Sequence, residues 1–186
     1  YKTLIPESCT ALLGPRYALL RPEFRELRSM NKPDTPDQKR IFVSFGGSDY
    51  TNETANIFKA AADLGHLNLH FDVISGAQDP RKQSVNEKCD KLDNFTFHCQ
   101  PPGYARLMAE SDLAIGAGGS TTWERCCLGI PSLIISTALN QIELSEKCHE
   151  SQAAVYLGHT GSVQASDISR AVSDLFTAPR KLAEMR

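Results

Sequence analysis

Six short apolar segments recur along the chain, and helix-like segments separate them. The six are Ile41–Phe45, Leu69–Ile74, Phe95–Phe97, Leu113–Ile115, Pro131–Ile135 and Ala154–Leu157. Most of them are followed closely by a glycine, which favours a turn. Short apolar strands that alternate with helices are typical of a parallel sheet covered on both faces. The sequence therefore predicts an α/β protein with a Rossmann-like, doubly wound parallel sheet.

The first part of the chain differs in composition from the rest. Residues 1–28 contain only short apolar pieces and a Gly14-Pro15 turn signal, so we interpret them as a tail that crosses between domains. Residues 29–39 are polar and contain two prolines, which is the composition of a linker. The predicted organisation is an interdomain crossover tail (1–28), a linker (29–39) and a Rossmann-like domain (40–186).

Composition and charge argue against several kinds of partner. The net charge is −2 and the sequence pI about 6.2, so the chain lacks the basic surface that nucleic-acid binding needs. The longest apolar runs are too short to span a bilayer, and residues 1–20 show no secretory signal. We therefore predict no nucleic-acid partner and no membrane span.

The six cysteines have no repeated spacing. Cys126 and Cys127 are adjacent, so on one helix they cannot easily bridge each other or hold a metal as a C-x-x-C pair does. Reduced thiols in a cytoplasmic protein are the favoured interpretation. The sequence predicts no metal site and no cofactor.

The stretch from Asp112 to Arg125 is the most distinctive in the chain. It reads Asp-Leu-Ala-Ile-Gly-Ala-Gly-Gly-Ser-Thr-Thr-Trp-Glu-Arg, which predicts a short buried strand, a glycine-rich turn and the start of a helix. Glycines let the backbone approach a ligand closely, and a helix N-terminus attracts anions through its free N–H groups and its dipole. The pattern indicates a phosphate site that needs no lysine.

A second interpretation of the same residues involves no ligand. Thr121 and Glu124 fit the capping box T-x-x-E, in which the two side chains only start a helix. Glycine-rich turns between a strand and a helix are also common in α/β proteins that bind nothing there. The stretch alone leaves both interpretations open.

Two further loops follow predicted strands and strengthen the phosphate hypothesis. Gly46-Gly47-Ser48 follows the first strand, and Asn140-Gln141 follows the fifth. In doubly wound sheets, ligands bind beyond the carboxyl ends of the strands, so we expect the three loops to converge on one edge. The pattern G-x-G-x-x-G is absent, which argues against a dinucleotide site, and G-K-[ST] is absent, which argues against ATP hydrolysis by a Walker loop. A nucleoside diphosphate is therefore the favoured ligand.

Two stretches carry a family resemblance. The first-loop residues Gly46-Gly47-Ser48 and Thr51-Asn52-Glu53, and the long motif from Asp112 to Leu133, resemble the UDP-sugar hydrolases of pseudaminic acid biosynthesis. Residues 12–24 resemble the segment that crosses between domains in that family. More remotely, the chain resembles the C-terminal half of the glycosyltransferase that makes lipid II.

The resemblance implies the C-terminal domain of a two-domain GT-B architecture. In that family this domain holds UDP, and an N-terminal domain holds the sugar and a catalytic histidine in a G-x-G-H-x-x-R segment. Neither Gly65-His66 nor Gly158-His159 is followed by that arginine, so we expect both histidines to be surface turn residues. The chain is thus expected to contain no catalytic residue. Its expected partners are UDP or a UDP-sugar and an N-terminal domain of the same protein.

The resemblance also assigns binding roles. The UDP contacts would come from Gly46, Gly47, Ser48, Cys99, Gln100, Gly118, Gly119, Ser120, Thr121 and Glu124. The turn would hold the diphosphate, Glu124 the ribose, the first loop the β-phosphate or the sugar, and the loop at Cys99 and Gln100 the uracil edge. Asn140 and Gln141 would reach the sugar, although such a pair at a helix start is often only a cap.

Three functions fit these expectations. The first is a UDP-sugar hydrolase, in which water attacks the anomeric carbon and a base in the N-terminal domain activates that water. The second is a GT-B glycosyltransferase, which moves the sugar to another acceptor. The third is a non-catalytic nucleotide-sugar binding or partner-docking module. Outside the site, we expect Asp49 and Asp112 to be structural, and Trp123, Cys126 and Cys127 to pack their helix against the sheet.

Overall fold

The computed structural model describes residues 4–29 and 38–185 and shows a single parallel sheet of six strands in the order β3-β2-β1-β4-β5-β6. The strands are β1 (Lys39–Ser44), β2 (Leu69–Ser75), β3 (Phe95–Cys99), β4 (Leu113–Ala117), β5 (Ser132–Ser136) and β6 (Val155–His159). This is the strand order of a Rossmann-like sheet, so the predicted fold class is confirmed. The order reverses between β1 and β4, which run side by side.

Helices connect every strand to the next one. They are α1 (Pro22–Leu27), α2 (Glu53–Asp63), α3 (Lys82–Cys89), α4 (Tyr104–Ala109), α5 (Thr121–Leu128), α6 (Ile142–Glu150), α7 (Ala165–Thr177) and α8 (Pro179–Glu184). Two short 3₁₀ turns lie at Pro15–Tyr17 and Leu139–Gln141. No described helix is long and apolar enough to cross a membrane.

The sheet is covered on both faces, as the apolar strands require. The larger apolar cluster joins one face to α2 and α7, where Ile57 and Val172 are fully enclosed. On the opposite face, Phe42 of β1 packs with Met108 of α4 and with Phe24 of α1. Phe24 has 0% of its surface exposed, so α1 is part of this core.

The predicted division into a tail, a linker and a domain stays a prediction. Residues 1–3 and 30–37, and with them most of the predicted linker, lie outside the described residues. The described part of the tail contains α1, which begins at Pro22 as a proline-initiated helix does. Before α1, several apolar side chains face outward, and Leu19 is completely exposed.

Two aspartates expected to be structural hold backbone groups. Asp49 accepts hydrogen bonds from the N–H groups of Glu53 at 3.0 Å and Thr54 at 2.8 Å, and so satisfies the start of α2. Asp112 accepts one from the N–H of Arg40 at 2.8 Å, which ties the start of β4 to β1.

A buried polar cluster lies on the sheet around Asp72 of β2. Asp72 has 0% of its surface exposed and accepts hydrogen bonds from Arg40 Nη2 at 2.7 Å and from His98 Nε2 at 2.9 Å. Burial alone would raise the pKa of Asp72, but the bonds from His98 and Arg40 together hold it below its usual range. Burial also lowers the pKa of the neighbouring His70. The cluster therefore favours the charged carboxylate over the protonated acid.

We predict that Asp72→Asn lowers the free energy of unfolding at pH 7 by about 1.5–3 kcal/mol, because it replaces hydrogen bonds to a charged group. A carboxylate with a lowered folded-state pKa stabilises the protein above its unfolded-state pKa of about 3.9, and this stability is lost as pH falls through the lower value. The difference between wild type and variant should therefore shrink below about pH 4. Urea unfolding of both proteins at several pH values measures this difference in unfolding free energy.

Asp93→Asn is the matched control, because Asp93 is exposed and its substitution removes the same charge as Asp72→Asn does. Its unfolding free energy should follow that of the wild type at every pH. A deficit for Asp72→Asn that stays constant down to about pH 2, well below the usual carboxylate pKa, would contradict the assignment of the depressed pKa.

Candidate nucleotide site

A cavity of about 440 Å³ opens at the carboxyl edge of the sheet. This volume falls within the range of about 300–1,000 Å³ that is usual for small-molecule sites. Its walls come from the ends of β1, β2 and β3, the starts of α4 and α5, and the residue before α1. The lining residues are Arg21, Ser44, Gly46, Gly47, Ile74, Ser75, Gly76, Gln100, Pro101, Tyr104, Thr121 and Glu124.

The loops after β1 and β2 touch each other through backbone atoms. A Cβ atom on Gly76 would lie 2.2 Å from the carbonyl oxygen of Gly47, which no side chain could tolerate. Gly46, beside it, has φ +89°, a conformation that glycine adopts without strain. Both glycines of the predicted first loop line the cavity, and their close approach to β2 leaves no room for a side chain at position 76.

Gln100 closes the cavity at the end of β3 in an unusual conformation. Its φ is +45°, in the left-handed region that residues other than glycine seldom occupy. Its N–H donates to the carbonyl oxygen of Ser75 at 3.0 Å, which fixes this turn to β2. Such strained positions cluster at ligand sites. Cys99, predicted to act beside it, is the exposed last residue of β3 and does not line the cavity.

The helix start after the glycine turn is not built as a capping box. α5 begins at Thr121, Ser120 occupies the N-cap position, and no side chain caps the helix. The first helical turn is closed by backbone bonds from Thr122 N–H to Gly119 O at 3.0 Å and from Trp123 N–H to Ser120 O at 3.1 Å. The N–H groups of Ser120 and Thr121 have no acceptor within the helix. The capping box predicted from T-x-x-E is therefore not formed.

Glu124 lies one turn inside α5 and faces the cavity. Its side chain is 17% exposed, and Oε2 is buried without a hydrogen-bond partner. Arg21 Nη2 lies 3.8 Å from Oε1. Burial raises the pKa of Glu124, and the charge of Arg21 and the hydroxyl of Tyr104 oppose that rise. An acceptor oxygen is thus left enclosed at the cavity wall and available to a ligand donor.

The glycine turn itself packs against the start of α6. A Cβ on Gly118 would lie 2.2 Å from Ser145 Oγ and 3.3 Å from Gln141 Cβ, whereas one on Gly119 would meet nothing closer than Gln141 Nε2 at 3.8 Å. Gln141 therefore adjoins the turn, and its side-chain oxygen accepts from the N–H of Thr137 at 2.9 Å instead of capping α6. Asn140 is exposed.

The structure brings part of the predicted set into the cavity wall. The predicted residues that line it are Gly46, Gly47, Gln100, Thr121 and Glu124. The other predicted residues lie outside its lining. They are Ser48, Cys99, Gly118, Gly119, Ser120, Asn140 and Gln141. Gly118 to Ser120 form the turn next to Thr121, so they lie beside the cavity.

Sequence reasoning missed seven residues of this wall, among them Arg21, Gly76 and Tyr104. Arg21 comes from the segment before α1 and lies over the rings of Phe24 and Tyr104, at 5.1 and 5.4 Å from their centroids. Burial raises the pKa of Tyr104 to about 12, so its hydroxyl stays protonated. Gly76 could have been found, because it follows β2 as Gly46 follows β1. Arg21 and Tyr104 carried no motif.

Two expectations about packing need correction. Cys126 is exposed and Trp123 is only partly enclosed, because the inward positions of α5 are Thr122 and Arg125, three residues apart. Cys127 is partly enclosed and packs against the apolar cluster around Phe42, as expected. Arg125, unexpectedly, has 2% of its surface exposed.

The two histidines after glycine behave differently from each other. His66 is an exposed turn residue, as expected. His159 ends β6, is partly enclosed, and has Nδ1 3.0 Å from Ser136 Oγ, so its placement in a surface turn was wrong.

Three curated proteins resemble this chain in sequence, among them one from Bacillus subtilis and one from Campylobacter jejuni, although no protein-family model matches it. The spore coat polysaccharide biosynthesis protein SpsG of Bacillus subtilis is 30% identical over 148 residues, which is 78% of this chain and 43% of SpsG. The UDP-2,4-diacetamido-2,4,6-trideoxy-beta-L-altropyranose hydrolase of Campylobacter jejuni is 25% identical over 69% of this chain and 44% of its own length. The chain thus spans less than half of each of these relatives.

Solved structures share the fold at lower identity. The S. aureus MnaA–UDP co-structure superimposes with a TM-score of 0.63 at 15% identity, over 91% of this chain and 45% of MnaA. Glycosyltransferase VinC in complex with DTDP gives a TM-score of 0.62 at 19% identity, over 89% of this chain and 38% of VinC. The fold matches that of GT-B glycosyltransferase C-terminal domains.

We predict that Gly118→Ala lowers the free energy of unfolding by about 1–3 kcal/mol, because the new methyl group overlaps Ser145 Oγ. Gly119→Ala, which has room, should remain within about 0.5 kcal/mol of wild type. Ser145→Ala loses the 2.7 Å bond to the carbonyl oxygen of Gln141, and should cost about 1 kcal/mol alone. Urea unfolding of the single and double variants measures the coupling.

The double variant should be more stable than the sum of the two single losses predicts, because the methyl group introduced at position 118 then fills the space of the absent hydroxyl. Strict additivity would contradict the close packing of the glycine turn against α6.

Proposed function

We propose that this chain is the UDP-binding half of a nucleotide-sugar hydrolase, which releases UDP from a diacetamido-trideoxyhexose in pseudaminic (nonulosonic) acid biosynthesis. One observation carries the nucleotide part: Glu124 Oε2 is buried without a partner at the wall of a cavity on the carboxyl edge of the sheet. A ribose hydroxyl would supply the missing donor. The similarity to the Campylobacter jejuni hydrolase supports the choice of reaction.

The diphosphate would lie at the start of α5. Gly118, Gly119, Ser120 and Thr121 would bind it through backbone N–H groups and hydroxyls, since the helix start is not capped by any side chain. The positive end of the helix dipole favours the same placement. This arrangement provides anion binding without a lysine.

The remaining contacts follow from the neighbouring loops. Gly46, Gly47 and Ser48 would approach the β-phosphate or the sugar, and the turn at Cys99 and Gln100 would meet the uracil edge through its backbone. The left-handed conformation of Gln100 supports a specialised role there. Asn140 and Gln141 would reach the sugar, and their position outside the cavity lining makes this the assignment with the least structural support.

The proposed reaction is attack of water on the anomeric carbon, with UDP as the leaving group. A base in the proposed N-terminal domain would activate the water. This chain would stabilise the negative charge that develops on the departing diphosphate, with backbone N–H groups already in place. By itself it is expected to bind UDP or a UDP-sugar without turnover.

A second candidate is the donor-binding domain of a GT-B glycosyltransferase. The likeness to glycosyltransferase VinC favours it at the level of the fold. The two candidates share the nucleotide site and differ in the acceptor of the sugar, which is water in one and another hydroxyl compound in the other.

We predict that the isolated chain binds UDP at least about tenfold more tightly than UMP, because the β-phosphate adds charge-assisted hydrogen bonds worth about 1.5–3 kcal/mol. ADP should bind more weakly than UDP, since the base edge differs. Isothermal titration calorimetry with the three nucleotides measures this. A folded chain that binds none of them would overturn the nucleotide assignment.

Within the same titration, Glu124→Gln should weaken UDP binding by about tenfold at about pH 8, because the amide offers only one acceptor oxygen. The affinity of the wild type should fall as pH is lowered towards the pKa of Glu124, which burial raises above its usual value. Glu124→Gln should lack the fall in affinity that comes from protonation of Glu124. The control Glu146→Gln, at an exposed position, should keep that fall. If Glu124→Gln bound UDP as tightly as the wild type but had a less stable fold, Glu124 would only stabilise the start of the helix.

The reaction is tested in a protein that joins this chain to the proposed N-terminal domain. In water enriched in ¹⁸O, we predict that the label enters the anomeric hydroxyl of the released sugar and is absent from UDP, because water attacks carbon and the C–O bond breaks. Mass spectrometry of both products gives the result. Label in UDP would contradict attack at carbon, and release of UDP only when a sugar acceptor is added would favour the transferase.

A further inference from the structure

Arg125 is the bulkiest of the fully buried side chains in the described part of the protein, with 2% of its surface exposed. Arginine stays charged in proteins, and an enclosed charge without an ion partner is strongly destabilising. Burial accordingly lowers the pKa of Arg125 from its usual value. A charged residue at this position needs a physical reason.

The guanidinium is bonded to both sides of the glycine turn. Nη2 donates to the carbonyl oxygen of Ala117 at 2.9 Å and to Thr122 Oγ1 at 3.0 Å, and Nη1 lies 3.5 Å from Thr121 Oγ1. Ala117 is the last residue of β4, and the threonines are the first residues of α5. The guanidinium therefore bridges the strand end and the helix start.

All of these acceptors are neutral, so none of the hydrogen bonds neutralises the charge of the guanidinium. Nε is buried without a hydrogen-bond partner. The adjacent carboxylate, Glu124, lies near Arg21 instead, and across residues 4–29 and 38–185 no carboxylate forms an ion pair with Arg125.

The chain backbone makes room for the guanidinium at one glycine. A Cβ on Gly116 would lie 2.9 Å from Arg125 Nη1 and 2.3 Å from the carbonyl oxygen of Ser44. The charge is therefore held against β4 where it neighbours β1, behind the turn that carries Thr121 to the cavity wall.

We propose that Arg125 is a positioning residue for the candidate diphosphate site: its guanidinium braces the turn from Gly116 to Thr121, and its unbalanced charge attracts the diphosphate from behind that turn. This inference rests on the proposed function, because it takes a nucleoside diphosphate as the ligand. The anion balances a charge that the folded protein leaves unpaired, so binding is favoured by a field that water screens weakly.

A brace without an electrostatic role would act differently. It would need the hydrogen bonds to Ala117 and Thr122 but no net charge. Glutamine at position 125 keeps a donor and loses the charge, whereas lysine keeps the charge and loses the planar fork. The two substitutions therefore separate the two roles.

The experiment compares the dissociation constants of UDP and uridine, measured by calorimetric competition, for the wild type, Arg125→Gln and Arg125→Lys. Uridine keeps the base and ribose and lacks the diphosphate, so the ratio of the constants isolates the diphosphate contribution. We expect Arg125→Gln to reduce this ratio by about tenfold or more, as a weakly screened unit charge implies. Arg125→Lys should retain most of the ratio. Near-UV circular dichroism reports whether each variant is folded.

Arg170→Gln is the matched control, because Arg170 is exposed on α7 and its substitution changes the net charge as Arg125→Gln does. Its ratio should equal that of the wild type. Equal ratios for Arg125→Gln and Arg125→Lys would overturn the electrostatic role. A wild type that binds no UDP would instead refute the proposed function, so the two failures are distinguishable.

A second pair of variants keeps the test valid if the Arg125 variants do not fold. Cys126 is exposed, and a negative charge there acts on Arg125. Cys126→Asp should therefore lower the ratio several-fold relative to Cys126→Asn, because only the aspartate carries a full negative charge that balances the guanidinium. Identical ratios for these two folded variants would also overturn the inference.

Discussion

The carboxyl ends of β1 and β4 lie so close together that position 116 accepts only glycine. A Cβ there would meet the carbonyl oxygen of Ser44 at 2.3 Å. This contact joins the two halves of the sheet where the strand order reverses, the place at which doubly wound folds bind ligands. The loop after β1 and the turn after β4 therefore border one cavity, although many residues separate them in the chain.

The proposed nucleotide is both anionic and rich in hydroxyl groups, and the polar groups at this edge would suit both properties. The start of α5 offers uncapped N–H groups, and one turn later Glu124 offers a buried acceptor oxygen. Donors for an anion and an acceptor for hydroxyls thus lie along one short helix. This combination is what distinguishes the site from a simple helix start, and it suits a nucleoside diphosphate.

The sheet could be predicted because its strands are short, apolar and bounded by glycine, features that depend on local sequence alone. The glycine loops of the site could be predicted for the same reason. Arg125 could not, because a charged residue on a helix is usually exposed and only the tertiary packing encloses it. Arg21 and Tyr104 were missed because their place in the cavity wall depends on how α1 and α4 pack, which no local pattern records.

The contact between Gly47 and Gly76 has a consequence for how the cavity can change. With 2.2 Å between the Gly47 oxygen and a hypothetical Cβ on Gly76, the two loops lie too close together to admit a side chain at position 76. A new ligand preference is therefore more easily acquired through side chains that border the cavity elsewhere, such as Gln100, than by lengthening either loop. The loops after β1 and β2 are constrained by this close contact, whereas the side chains that border the cavity elsewhere can vary and change its specificity.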